Sequence, residues 1–328
     1  MDDSTAGDLT GRWDSGGGTP ARRGQHVGVE QVRQAVAGAI RARVAGPAGQ
    51  DHARELFDSD GPRWFSPDRP IWRVHADASI FVGALRALLL QSLHPLAMAG
   101  VADHSDYRAD PWGRLQRTAR FLAATTYGTE DQADQACATV RRVHRRVHGI
   151  APDGRLYDAN DPHLLTWVHI AEADSFLAAY QRYGAQPMDA AEQDAYIGDL
   201  ARVAITLGVP DPPRSVAGLR DRLDAYRPEL SGTPSAREAA RFLLLQPPVP
   251  LAARGPYAVL GATPDSLLPW WAKVMLRIPP LPVTETVVIR PAGRVLVNAM
   301  RWALSPGSPM RDAPRDVAAA SGSGTLTT

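Results

Sequence analysis

The stretch Thr129–Gly149, TEDQADQACATVRRVHRRVHG, decides the fold class. Thr129 followed three residues later by Gln132 matches a capping box, and Glu130 and Asp131 fill the first turn, where the helix dipole favours anions. Arginines crowd the last turns and Gly149 stands just past the end, so the segment starts and stops as a helix should. Its apolar stripe runs through Ala133, Cys137, Val140, His144 and Val147, at helical spacings of four and three. His144 therefore occupies a position that belongs to the core.

The same grammar recurs on both sides. Val29–Gly46 carries apolar residues at helical spacing and stops at Gly46-Pro47. Asp161-Pro162 is an N-cap with proline in the first helical position, opening a helix that runs to Gly184. Another opens at Asp189-x-x-Glu192 and closes at Gly208-Val209-Pro210, and two more are expected to open at Thr233-Pro234 and Thr263-Pro264. Strand signals are nearly absent. Thr286–Arg290, TVVIR, has no evident partner strand and is left open. The reading is all-α, a multi-helix bundle over residues 28–304, with disordered tails at 1–27 and 305–328, where Gly, Ser, Pro and polar residues lack periodicity.

Composition narrows the function classes. Of 328 residues, 44% are hydrophobic and 22% charged, which excludes wholesale disorder and collagen. A net charge of +1 leaves no general basic field for nucleic acid. Lys273 is the single lysine among 36 basic residues, so the cationic chemistry is that of arginine, which pairs with carboxylates but cannot ligate a metal. The one cysteine, Cys137, excludes an internal disulfide and every multi-cysteine metal site. With no apolar leader in the first residues, the expectation is a cytoplasmic protein. Ile80–Val101 is the most apolar stretch, but Arg86 and His94-Pro95 interrupt it, which favours a buried helix and a turn over a membrane span.

Nine histidines remain to be weighed. His26, His52 and His75 lie in polar surroundings and read as solvated. His144 and His148 are four apart, but Arg145 occupies the place of a zincin glutamate, which removes that reading. His169 and Glu172 are three apart, and without a second such pair they do not make a di-iron site, so a structural hydrogen bond is expected for His169. His144 could be a satisfied core histidine. A buried neutral imidazole flanked by arginines also suits an axial haem ligand, with Arg141 or Arg145 answering the propionates. His94–Thr118 concentrates His, Asp, Arg, Tyr and Trp, and within it Arg114, Arg117 and Thr118, at i, i+3 and i+4, would present three donors from one helical face.

Taken together, Leu88–Thr118 (LLLQSLHPLAMAGVADHSDYRADPWGRLQRT), Thr139–Gly149 (TVRRVHRRVHG), Leu156–Gly184 (LYDANDPHLLTWVHIAEADSFLAAYQRYG) and Leu207–Pro210 (LGVP) resemble the family of MpaB-type oxygenases and latex-clearing rubber oxygenases. That resemblance implies a distantly globin-like helical fold holding haem b and oxidising an apolar, terpenoid or lipid, substrate with O2. It puts His144 at the axial iron position, Arg114, Arg117 and Thr118 on the distal side, and Arg141, His104 and Trp167 around the cofactor. Two departures stand out. Arg117 replaces a lysine that can bind iron in the rubber oxygenases, and no glutamate occurs from Phe81 to Thr129 to serve as their base. Asp103 and His104 are the nearest substitutes. Alternatives of other classes are a haem-binding sensor or carrier without turnover, and a helical protein without cofactor whose arginines pair with Asp103, Asp106 and Asp110.

Overall fold

The computed structural model describes residues 20–105, 107–246 and 249–305, and over them the architecture is helical. The first half contains α1 (Pro20–Val44), α2 (Gly49–Asp58), α3 (Pro70–Ala76), α4 (Ile80–Gln91), α5 (Pro95–His104), α6 (Pro111–Tyr127) and α7 (Glu130–His144). A small antiparallel hairpin follows, β1 (His148–Ile150) and β2 (Leu156–Asp158), with Gly149 opposite Tyr157. Next come α8 (Pro162–Tyr183), α9 (Ala190–Leu207), α10 (Val216–Tyr226), a 3-10 turn (Arg227–Glu229) and α11 (Pro234–Leu245). The described chain ends with α12 (Leu251–Asp265), α13 (Trp270–Leu276), the single turn α14 (Pro282–Thr284) and α15 (Arg290–Leu304).

Local chemistry sets these boundaries. Thr129 and Gln132 form the reciprocal capping box of α7, and Asp189 and Glu192 form that of α9. Asp161 and Thr233 accept from backbone N–H groups at the starts of α8 and α11, each with proline next in line. Gly208 ends α9 in the left-handed region, at φ 114°. The Ile80–Val101 stretch breaks as expected: α4 ends at Gln91 and Pro95 restarts the chain as α5.

Three expectations change. α1 begins at Pro20, within the segment read as a tail, while residues 1–19 and 306–328 lie outside the described residues. Thr263-Pro264 closes a helix instead of opening one. The Thr263 hydroxyl donates back to the Val259 carbonyl at 2.6 Å, so it spends its capping capacity inside α12. The TVVIR segment lies in a π-helical turn, Glu285–Ile289, leading directly into α15.

α8 is the central helix. Thirteen of its residues are buried on more than one face, from Leu164 to Tyr183, so it reads as an interior element rather than an amphipathic surface helix. α4 packs against it most extensively. Gly83 makes that approach possible, because a Cβ there would meet Phe176 Cδ1 at 2.6 Å and Phe176 Cα at 3.1 Å. Buried Arg86 crosses the same contact, pairing with Asp174 at 2.7 Å and donating to Ser175 Oγ and the Leu267 carbonyl. Lys273 is also buried and is held by Glu285 at 2.7 Å and Asp265 at 3.4 Å. Arg301, near the end of α15, forks onto both carboxylate oxygens of Asp77 and the Tyr183 carbonyl. Among the described residues no single helix is long and apolar enough to cross a membrane.

Candidate functional site

The expected site residues fall on α5 to α8, and the structure treats them unequally. Arg114, one turn into α6, is half-buried and donates to Ser105 Oγ at 3.0 Å. Desolvation first, and the neighbouring Arg117 charge second, hold its guanidinium below the ordinary arginine range. Arg117 and Thr118 do not join it. Arg117 projects into solvent and meets Asp110 at 3.5 Å, and the exposed Thr118 donates its hydroxyl back to the Arg114 carbonyl at 3.1 Å. A helix places i, i+3 and i+4 on one side, but the inward arc here is narrow enough to take Arg114 alone. The expectation of three convergent donors is corrected to one.

His144 ends α7 on the stripe that begins with the fully buried Ala133 and Cys137. Its Nδ1 is buried without a hydrogen-bond partner. Burial pulls the imidazole below its ordinary pKa, and the nearby Asp158 opposes that shift. Cys137 is a free thiol that desolvation first raises to about 12, which fits core filling. Arg141 is exposed on the same helix and, with Arg142 and Arg145, lines an open cleft of about 520 Å3 closed below by Leu165 and Leu207. Three guanidinium groups on one cleft wall suit a carboxylate-bearing ligand.

His104 and Trp167 are each engaged by other parts of the chain. His104 is exposed and its Nε2 faces the His148 carbonyl at 3.2 Å, beside the Tyr157 ring. Trp167 has no accessible surface: its indole donates to the Gln91 carbonyl at 3.2 Å and its ring packs against Tyr226 and His94. Both are spent on structure, Trp167 because α8 is buried all round. Asp103, a candidate base, accepts from Tyr157 Oη at 2.6 Å on a part-buried edge of the hairpin. Asp106 lies outside the described residues. His75 is buried, not solvated; Thr126 and Tyr196 face its two nitrogens, and desolvation lowers its pKa to about 3.

His169 and Glu172, set aside from the sequence as an incomplete di-iron pair, are the residues whose surroundings it did not anticipate. Both lie on α8, are part-buried and are strongly desolvated. Desolvation lowers His169 to about 4 and raises Glu172 to about 7. His169 Nε2 has no partner, so the structural hydrogen bond expected there is absent, and Glu172 makes no hydrogen bond or ion pair among the described residues. The signal was present as His-x-x-Glu on an otherwise apolar helix. A carboxyl poised near neutrality is the proton acceptor that the stretch from Phe81 to Thr129 lacks.

Arg114, His144, and the pair His169 and Glu172 lie on the successive helices α6, α7 and α8, and the last three side chains make no hydrogen bond among the described residues. The chain matches the family model of the ER-bound oxygenase mpaB/B'/rubber oxygenase catalytic domain over residues 72–304. No curated protein and no solved structure matches it. The family match takes in the motif-bearing helices from the middle of α3 to the end of α15, well over half of the chain, and the protein belongs to this family of oxygenase domains.

Proposed function

We propose that the chain is a haem-b-dependent oxygenase that uses O2 to oxidise an apolar substrate of terpenoid or lipid type, and that His144 would hold the haem iron. The observation that carries this reading is the unpartnered, buried Nδ1 of His144, on a ring that forms no hydrogen bond among the described residues. A buried polar atom left unsatisfied costs about 1–3 kcal/mol, a cost a bound ligand would remove. The depressed pKa keeps the ring neutral, as ligation requires. Haem, when bound, would supply the redox-active iron at which O2 is reduced.

The chain's own residues supply the rest. The guanidinium groups of Arg141, Arg142 and Arg145 are suited to hold the propionates from their cleft. Arg114 keeps a half-buried positive charge on α6, and Glu172 can accept a proton near neutral pH. Arg117 faces solvent and meets the Asp110 carboxylate. The test is an absorption spectrum of protein expressed with haem precursor, oxidised and reduced. A Soret band that His144→Ala abolishes supports the assignment, and a band unchanged by that substitution refutes it. Uptake of O2 with formation of an oxidised terpenoid separates an oxygenase from a sensor, which shifts its spectrum without consuming O2.

A further inference from the structure

A second group of chemistry-bearing side chains sits where α5, α8 and the 3-10 turn after α10 meet. His94 is the residue before Pro95 and caps α5 without using its side chain. It is 1% exposed, and neither ring nitrogen has a hydrogen-bond partner. Its Nε2 lies 3.5 Å from Glu229 Oε2, too poorly aligned for a hydrogen bond. The same oxygen lies 2.7 Å from Nε2 of His163, in the first turn of α8. The three potential ligand atoms all fall within 4.8 Å of one another.

The orientation of His163 is set by Tyr226, whose ring stacks on it at 4.6 Å. The tyrosine hydroxyl donates its one proton to the His163 carbonyl at 2.8 Å, and its oxygen lies 3.1 Å from His163 Nδ1. With that proton committed, the oxygen can only accept from Nδ1–H, so the 2.7 Å contact between His163 Nε2 and Glu229 is made either by the second proton of an imidazolium or, with a neutral ring, through a bound cation. An outer hydrogen bond that fixes a histidine tautomer is the usual support of a metal ligand.

We propose that His94, His163 and Glu229 bind a divalent transition ion of the zinc class, with a remaining coordination position open to solvent. Two imidazoles and one carboxylate select such an ion over magnesium or calcium, which prefer all-oxygen shells. Metal–ligand distances of about 2.0–2.2 Å in tetrahedral geometry place neighbouring ligand atoms about 3.3–3.6 Å apart. The His94–Glu229 separation already fits. His163 and Glu229 must part by about 0.6–0.9 Å on the same geometry. They can do so cheaply, because their side chains are 50% and 40% exposed. The ion would pin three elements at one point, beside the backbone bond from Ser231 N to the Leu93 carbonyl.

The experiment is a titration of the full-length protein with Co2+, read by the visible ligand-field bands of a low-coordinate ion, followed by displacement with Zn2+. One Co2+ per chain is expected, with affinity falling at least about 10–100-fold in both His163→Ala and Glu229→Gln. Tyr226→Phe should weaken binding while keeping the stoichiometry, and His144→Ala should bind as the wild type does, which separates this site from the haem reading. Both His163 and Glu229 are surface residues, so their variants are expected to fold, and unchanged circular dichroism confirms it. Absence of Co2+ binding, or binding that survives both substitutions, overturns the proposal.

Discussion

Replacing His144 by leucine separates a ligand-binding imidazole from a structural one, because the two readings give opposite signs. The ring carries a buried Nδ1 with no partner, and burial already disfavours its protonated form. An unsatisfied buried nitrogen costs about 1–3 kcal/mol, and an isosteric apolar side chain removes that cost. For a chain of this size each kcal/mol moves Tm by about 2–4 °C, and a half-buried ring keeps the gain at the low end, about 2–6 °C upward in protein prepared without haem. Adding haem at about 100 times its Kd should then raise the wild-type Tm further, since binding at that excess contributes about 2.7 kcal/mol. His144→Leu should show no such rise and no Soret band. Differential scanning fluorimetry on both proteins, with and without haem, reads all four values. A haem-free variant less stable than wild type by more than about 1 kcal/mol would refute the reasoning, since it would mean the imidazole has a partner that stabilises it. So would a variant that keeps its haem-induced rise.

Other outcomes follow from buried charge. His75, whose pKa is lowered from 6.5 to about 3, contributes stability that is full above pH 6.5 and lost as the pH falls from 6.5 toward 3. Over that window the loss approaches about 4–5 kcal/mol, and denaturant titrations at pH 7 and pH 4.5 should show part of it vanish in His75→Gln. Glu172, raised from 4.5 to about 7, has the opposite sense: it carries no penalty below pH 4.5, and the destabilisation accumulates as the pH rises from 4.5 to 7 and levels off above that. Glu172→Gln should therefore match wild type at pH 5 and exceed it at pH 8 by urea unfolding, while oxygenase activity loses its rise near neutral pH. Arg86→Ala strands Asp174 inside the α4–α8 contact and should cost about 3–5 kcal/mol, whereas Arg86→Met with Asp174→Leu should recover most of it in the same assay.

Helix existence was legible because caps are local. Thr129 with Gln132, and Asp189 with Glu192, carry their partners within three residues, and the structure keeps both boxes. Thr263 misled because a hydroxyl followed by proline looks the same whether it caps forward or bonds backward to Val259. The site was legible only by type. Arg114 and Thr118 share a helical side, yet Arg114 reaches Ser105 while Thr118 bonds back to the Arg114 carbonyl, a difference that helical spacing does not encode. Likewise His75 sits in a polar-looking stretch, but its partners are 51 and 121 residues away. His-x-x-Glu on α8 was visible, but its meaning depends on helices closing around it, which no local pattern encodes.

Arg301 gives the fold a direction in time. Its fork onto Asp77 joins residues 224 apart, so Asp77 and the Tyr183 carbonyl wait for the last turn of α15 to leave the ribosome. At roughly 5–20 residues per second that delay is about 10–45 s, during which α3, α4 and α8 can pack with Asp77 held by the Ser79 and Ala185 backbone N–H groups. The guanidinium arrives as a late counter-charge, so a chain cut short before α15 would leave the central helix assembled around a carboxylate that is hydrogen-bonded but not neutralised.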